Sequence, residues 1–265
     1  MPAFKNFYIM IIDTHTHLYV EEFDTDYKEV IQRAIDYGVE KFFLPAIDST
    51  YTERMFRLQK EYPEHMYLMN GLHPCSVKEN WQEEIAKVNA LVSAHSKDFY
   101  AIGEIGIDLY WDKTFLEAQK EAFALQIRLA KEYHLPIVIH CREAFEETFE
   151  VLEKEKSDDL FGIFHCFTGN KEQALRAISF GLKLGIGGVV TFKNGKIDTF
   201  LKEIPLEHLV LETDAPYLAP VPFRGKRNES SYLIYIIKKL AEIYNITENE
   251  IIKRTTNNAL EIFKS

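Results

Sequence analysis

The sequence predicts a single-domain α/β protein, a (β/α)8 TIM barrel, and three observations predict it. Apolar, β-branched runs recur eight times, each followed by a stretch with the apolar spacing of a helix. Most of these runs are continuous rather than alternating, the pattern of parallel strands covered on both faces. At 265 residues the chain has the length of one such barrel, and no Gly/Pro/Ser-rich linker divides it, so residues 1–265 read as one domain. A doubly wound open sheet is the competing layout. It asks for a Gly-rich turn after the first strand, and none follows Ile12.

The elements follow in order. The first strand lies in 8–17, YIMIIDTHTH. A helix over 25–37 carries Val30, Ile31, Ala34 and Ile35 on one side, with Gly38 in the stop position. Strand 41–47 comes next, and Ser49 is placed to cap a helix running to 62. Strand 66–72 ends in GLHP, and helix 81–95 carries Ile85, Val88, Leu91 and Val92. Then come strand 99–107, a long helix 114–133, strand 136–140, helix 144–155, strand 161–167 and helix 171–180. Strand 182–190, a short helix 197–204, strand 209–212 and helices 232–244 and 248–263 complete the chain.

Composition narrows the function. An apolar fraction of 46% with 19 Phe and 14 Tyr supplies a large packed core. With 31 Lys and Arg against 41 Asp and Glu, the net charge of −10 excludes a protein that coats nucleic acid through a broad basic surface. It leaves open a polyanionic substrate held by metals and a few local cations. Cys75, Cys141 and Cys166 are an odd set with no CxxC, which fits a reducing compartment, and a cytoplasmic location is expected. The apolar run 7–12 is too short to span a membrane and no cleavage pattern follows it, so neither a signal peptide nor a membrane partner is expected. The sequons at Asn228 and Asn245 should therefore be unmodified. Nothing marks an obligate protein partner.

In a barrel the C-terminal strand ends line one mouth, where chemistry gathers. Side-chain alternation puts Asp13, His15 and His17 on one face and Thr14 and Thr16 on the other, which aims two imidazoles at one point. A His-x-His alone is weak evidence; what strengthens it is that other strands end in ligands too. Strand three ends in His73, strand four in Glu104 with Asp108 beyond, strand five in His140, strand six in His165, and strand eight in Glu212 and Asp214. Four histidines and two carboxylates are too many for one ion, which takes about three protein ligands, and suit two divalent ions. Glu104, between the groups of histidines, is the candidate bridge. Mixed His and carboxylate donors suit zinc or manganese better than magnesium on softness grounds.

Around these, Asp13 and Glu212 are placed to support the ligands from behind. Cys141 and Cys166 each follow a histidine, so alternation turns both thiols away from the mouth, as small core residues under the helices. Arg142 shares the parity of His140 and is placed either to reach a substrate anion or to open a helix on the surface. His73 is placed to contact substrate or to cap the third strand. Loop eight, 215–231, is stiffened by Pro216, Pro220 and Pro222 and brings Arg224, Lys226 and Arg227 close together, a phosphate-binding expectation in an acidic chain. Gly185, Gly187 and Gly188 are read as close packing where the barrel narrows, ahead of a substrate approach to the backbone.

With those residues laid out, the chain resembles the TatD-type deoxyribonucleases of the metal-dependent amidohydrolase superfamily. The motifs run end to end: DTHTHL at Asp13, GLHP at Gly71, GEIGID at Gly103, PIVIHCRE at Pro136, HCFTG at His165, ETDAPYL at Glu212 and FRGKRNE at Phe223. The resemblance implies a (β/α)8 barrel with His15, His17 and Asp214 on one ion, His140 and His165 on the other, and Glu104 bridging. It implies a magnesium- or zinc-dependent nuclease trimming DNA or an oligonucleotide from the 3′ end, with Asp214 taking the proton of the attacking water. Three departures touch none of the expected ligands: Leu109-Tyr110 stands where a tyrosine pair is usual, Ser230 where a proline often follows RNE, and Thr-Thr-Asn-Asn surrounds the Asn near Thr256. The alternative is hydrolysis of a small amide, lactone or phosphate ester. Many such relatives bridge their ions with a modified lysine on strand four, where this chain offers Glu104.

Overall fold

The computed structural model describes residues 10–263. Eight strands lie parallel in chain order: Ile11–Asp13 (β1), Val39–Leu44 (β2), Met66–Asn70 (β3), Phe99–Asp108 (β4), Ile137–Arg142 (β5), Gly162–Phe164 (β6), Leu182–Ile186 (β7) and Leu209–Leu211 (β8). Tyr8 and Ile9, expected in the first strand, lie outside the described residues. Helices Tyr27–Asp36 (α1), Thr52–Glu61 (α2), Trp81–His95 (α3), Leu116–Glu132 (α4), Phe145–Lys154 (α5), Lys171–Ser179 (α6), Leu233–Tyr244 (α7) and Glu248–Phe263 (α8) pack outside. The expected (β/α)8 architecture is present as a nearly closed barrel. No ladder joins β8 to β1 among the described residues. Instead the seam closes from the end of β8 onward, through Thr14 N to Leu211 O (3.0 Å), Asp214 N to His15 O (2.9 Å) and His17 N to Ala215 O (2.7 Å).

The barrel interior explains why the mouth is polar. Ile12, Phe43, Met69, Ala101, Val138, Ile163 and Val210, one residue from every strand except β7, form an apolar floor that Ala259, Ile262 and Phe263 of α8 plug from below. Two residues further along, on the same face, stand His140 of β5 and His165, one residue past the end of β6. Two residues beyond Val210 stands Glu212. Strand periodicity thus converts an apolar layer into a layer of ligands directly above it.

Several boundaries differ from expectation for local reasons. The expected helix 197–204 is two 3-10 turns, Ile197–Thr199 and Leu201–Glu203. Between the two turns the backbone of Phe200 leaves helical values (φ −122°), which interrupts the helix. Asp48, not Ser49, caps the turn before α2, accepting from Thr50 N at 3.0 Å. The strand expected over 182–190 stops at Ile186, because Gly188 turns into a 3-10 helix against loop eight. A Cβ on Gly188 would meet Leu218 O at 2.1 Å.

Loop eight is fastened from below. Fully buried Asn228 donates to Thr213 O and Tyr217 O, both at 2.7 Å, so its sequon is inaccessible to modification. Glu229 accepts from Arg33 at 3.0 and 2.6 Å and from Ser231. Burial pushes the Glu229 carboxyl up, but the bonds from Arg33 and Ser231 overrule it and hold it below the ordinary value. A depressed folded value means the stabilisation is whole above the unfolded value of about 4.3 and is lost as pH falls through the folded one. Melting curves of wild type and Arg33→Ala, separated at pH 6, are therefore expected to converge as pH is lowered toward 3.

Candidate metal centre

The structure brings His15, His17, Glu104, His140, His165 and Asp214 together at the mouth. Glu104 sits in the middle, 2% exposed. Its Oε2 is 3.1 Å from His15 Nε2 and 3.6 Å from His17 Nε2. Its Oε1 is 2.7 Å from His140 Nδ1, 3.4 Å from His73 Nε2 and 3.7 Å from His165 Nε2. Asp214 Oδ1 completes the first group at 3.5 Å from His17 Nε2 and 3.8 Å from His15 Nε2, and also stands 3.8 Å from His165 Nε2. His15, His17 and Asp214 form one cluster able to hold a cation, and His73, Glu104 and His140 another.

How each side chain arrives there is instructive. His140 and His165 follow from strand periodicity. Glu104 does not: Ala101 faces the barrel, and a register shift between Gly103 and Ile105 turns the residue between them inward. Nor do His15 and His17 stand on a strand, since β1 ends at Asp13 and the chain bends before them. Their Nε2 atoms still converge to 3.3 Å. Asp13, placed by parity behind the histidine rings, instead accepts from Thr213 N (3.0 Å), Thr213 Oγ1 (2.6 Å) and His15 N (3.3 Å), tying β1 to the end of β8 through the backbone. Burial pushes its carboxyl up to about 7 against those bonds. Asp214 adopts a left-handed φ of 58°, a conformation Asp tolerates.

Behind the cluster, Glu212 Oε1 lies 3.0 Å from His165 Nδ1 and accepts Cys166 N at 2.7 Å. Its other oxygen and His15 Nδ1 are buried without a hydrogen-bond partner, and His15, His165 and Glu212 lie within mutual ligand reach. The His15 and His165 rings stack at 3.4 Å. Glu212 is thus a carboxylate between histidines of the two groups. Gly185 makes room for it: a Cβ there would stand 2.0 Å from Glu212 Oε2. The glycine serves close packing, as expected, but against a carboxylate of the site. Gly185→Ala is expected to displace Glu212 and lower metal affinity or activity by about 10- to 100-fold, the usual cost of losing a ligand's support, measurable by metal titration.

Two further residues serve the histidines: Tyr19, which the sequence does not single out, and Asp108, which it places only beyond Glu104 at the rim. Asp108 Oδ2 stands 2.9 Å from His140 Nε2, and its Oδ1 accepts Tyr110 N at 2.9 Å and Trp111 N at 3.2 Å. Buried Tyr19 donates its hydroxyl to Pro45 O, so it accepts from His17 Nδ1 at 3.0 Å. That fixes the proton of His17 on Nδ1 and leaves Nε2 free as a ligand. Cys166 corrects the parity reading. The strand ends at Phe164 and Cys166 is left-handed (φ 42°), so its thiol comes within ligand reach of His165 and Asp214 rather than pointing under the helices. Cys141 does lie away from the mouth, and burial pushes its thiol up to about 12. His73 caps the 3-10 turn that follows β3, accepting from Cys75 N at 3.1 Å, and its Nε2 faces Glu104.

The loop-eight cations do not gather at the cluster. Arg227 is held by Asp26 at 2.8 and 2.6 Å and by Glu22 O at 2.6 Å. Arg224 lies over Phe192 and Lys226 over Phe223. Arg142 is on the rim, stacked on Tyr110.

The electrostatics ask for cations. Burial would raise Glu104 and Asp214, yet the surrounding imidazoles overrule it and hold both below the ordinary carboxylate range. Burial would lower His140 and His165, yet Asp108 and Glu104 hold the first at about 9, and Glu212, Glu104 and Asp214 the second at about 10. Buried carboxylates that draw protons onto the neighbouring imidazoles, with partnerless atoms beside them, are the donor set of a divalent metal site, where a cation would take the place of those protons.

Comparison with known proteins agrees. The family model described as TatD related DNase matches residues 12–264. The "uncharacterized metal-dependent hydrolase YabD" of Bacillus subtilis is 43% identical over 96% of this chain and 99% of its own length. The "3'-5' ssDNA/RNA exonuclease TatD" of Yersinia pseudotuberculosis is 31% identical over 96% of this chain and 99% of its own. The crystal structure of YjjV, a TatD homologue from Escherichia coli, superposes with a TM-score of 0.91 at 29% identity, covering 98% of this chain and 100% of that one. No helix among the described residues is long and apolar enough to cross a membrane. By site and by sequence alike, the chain belongs to the TatD family of metal-dependent hydrolases.

Proposed function

We propose that this chain hydrolyses phosphodiester bonds of single-stranded DNA with two divalent cations, releasing nucleotides from the 3′ end, and that residues 1–265 work as one domain in the cytoplasm. The observation that carries this reading is Glu104, whose two oxygens face two separate groups of imidazoles. His15, His17 and Asp214 would hold one ion and His140 and His165 the other, with Glu104 shared. The histidine-rich set favours zinc or manganese over magnesium. When bound, such ions acidify a water and offset charge on phosphoryl oxygens.

The chain's own residues do the rest. Glu104 is buried, while Asp214 keeps 13% of its side chain exposed, so Asp214 is the carboxylate that meets a water entering from the mouth and takes its proton. Glu212 and Tyr19 hold His165 and His17 in register, and Asp13 holds the end of β8. His73 and Arg142 contact the substrate phosphates on the His140 side. Arg224 and Lys226 add charge along loop eight, which Arg227 fastens to α1 through Asp26. The name of the Yersinia relative supports the choice of a nucleic acid strand.

Elemental analysis of protein purified without chelator should find about two equivalents of metal, and a 5′-labelled single-stranded oligonucleotide should shorten from its far end. Turnover of simple lactones, amides or phosphate monoesters without such shortening would move the reading to a small-ester hydrolase.

A further inference from the structure

Where β4 ends, the chain exposes two large rings in succession. Tyr110 is 48% exposed and Trp111 70%, the most exposed of the large apolar side chains among the described residues. Their rings meet edge to face at 4.8 Å. The Arg142 guanidinium lies 3.6 Å from the Tyr110 ring centre and 5.4 Å from that of Trp111. Among the described residues no carboxylate lies within ion-pair distance of Arg142. In a chain of net charge −10, an unpaired guanidinium stacked on exposed aromatic rings is an arrangement that surface solubility does not require.

This platform is built into the mouth. Asp108 is the backbone register partner of Arg142 across β4 and β5, as Gly106 is of His140 two residues inside. Arg142 therefore stands two strand residues, roughly 7 Å, beyond His140. One carboxylate spans the two places: Asp108 Oδ1 accepts Tyr110 N and Trp111 N, and Oδ2 faces His140. Gln119 holds Asp108 in turn, donating to its carbonyl at 3.2 Å and accepting its N–H at 2.8 Å.

Flat rings beside a free guanidinium suit a flat, unpaired base carried on a phosphate chain, since stacking satisfies the rings and the cation meets the phosphate. A base inside a duplex offers no free face to such a platform. We propose that Tyr110, Trp111 and Arg142 form a stacking subsite for one unpaired nucleobase adjoining the phosphodiester held at the histidine cluster. The subsite rests on the nuclease reading above and makes it specific for single strands.

The test sets wild type and two variants against two substrates. On an intact single-stranded oligonucleotide, Trp111→Ala should raise KM by roughly tenfold, and Trp111→Phe should recover most of the loss. An oligonucleotide with abasic residues at its 3′ end should weaken wild type by a similar factor and leave Trp111→Ala little further to lose. Metal content, measured alongside, should not change. Equal KM for wild type and Trp111→Ala, or equal losses on both substrates, overturns the subsite. Binding reads it independently of cutting, because Trp81 is buried and Trp111 is the exposed emitter. Intact oligonucleotide should quench the emission of wild type and not of Trp111→Phe. Quenching without cleavage would sink the nuclease reading and leave the subsite standing; cleavage without quenching would do the reverse.

Discussion

Glu104→Ala is expected to remove bound metal and activity together. Both oxygens of this side chain are committed, one to His15 and His17 and the other to His140, so its loss strips a shared donor from both groups at once. No neighbouring carboxylate faces both groups from the same side: Asp214 reaches the His15, His17 and His165 side, Asp108 faces the far nitrogen of His140, and Glu212 lies on the far nitrogen of His165. Losing several kcal/mol of transition-state charge stabilisation corresponds to a fall of at least ~10³-fold in rate. Glu104→Gln separates charge from shape. It keeps one oxygen but presents an amide N–H₂ to one of the two groups, so it should retain part of the metal and little of the rate. Elemental analysis and initial rates on the same preparations, with circular dichroism to confirm folding, read all three. A Glu104→Ala protein that cleaves at the wild-type rate with undiminished metal dependence would refute the bridging role.

The parts of this site that were legible in the sequence are those that regular strands place. His140 sits two residues above Val138 on β5, and His165 two above Ile163, one residue past the end of β6 but still bonded to Ile139 O, so alternation alone aims both at the mouth. Alternation fails wherever the backbone leaves the strand. It misplaces Cys166, which turns left-handed one residue after His165, and Asp13, whose carboxylate is claimed by Thr213. Glu104 faces inward through a register shift that no residue pattern announces; the motif, not the periodicity, identifies it. Contacts across long sequence separations are invisible for a different reason. Arg224, Lys226 and Arg227 look like a phosphate site because a sequence displays charges without their partners, and the partner of Arg227, Asp26, lies 201 residues away. Tyr19 is silent until a histidine nitrogen is found beside it, and Asp108 shows only as a rim carboxylate until His140 is found against it. The fold was far more legible, because eight apolar runs separated by helical spacing depend on local periodicity, which a sequence shows directly.

Asp214→Asn is expected to keep the fold and much of the metal while lowering the rate by about 10²- to 10⁴-fold, the range for losing a positioned proton acceptor. Asn tolerates the left-handed conformation that Asp214 adopts at φ 58°, and its amide oxygen can still face His17, so backbone and coordination are spared. What disappears is the ability to take a proton. The pH profile isolates that loss. Burial pushes the Asp214 carboxyl up, but His165, His17 and His15 overrule it and hold it below the ordinary value. The accepting carboxylate form therefore exists above that depressed value and is lost as pH falls through it, so the wild-type rate should decline on the acid side. With Asn in place there is no carboxylate left to protonate, and that part of the acid-side decline should vanish from a slow, flatter profile. An Asp214→Asn enzyme showing the wild-type rate and the wild-type acid limb would show that the proton goes elsewhere. Asp214→Ala would be a poorer probe, because it removes a ligand and strains a left-handed turn in the same step, mixing metal loss with proton transfer.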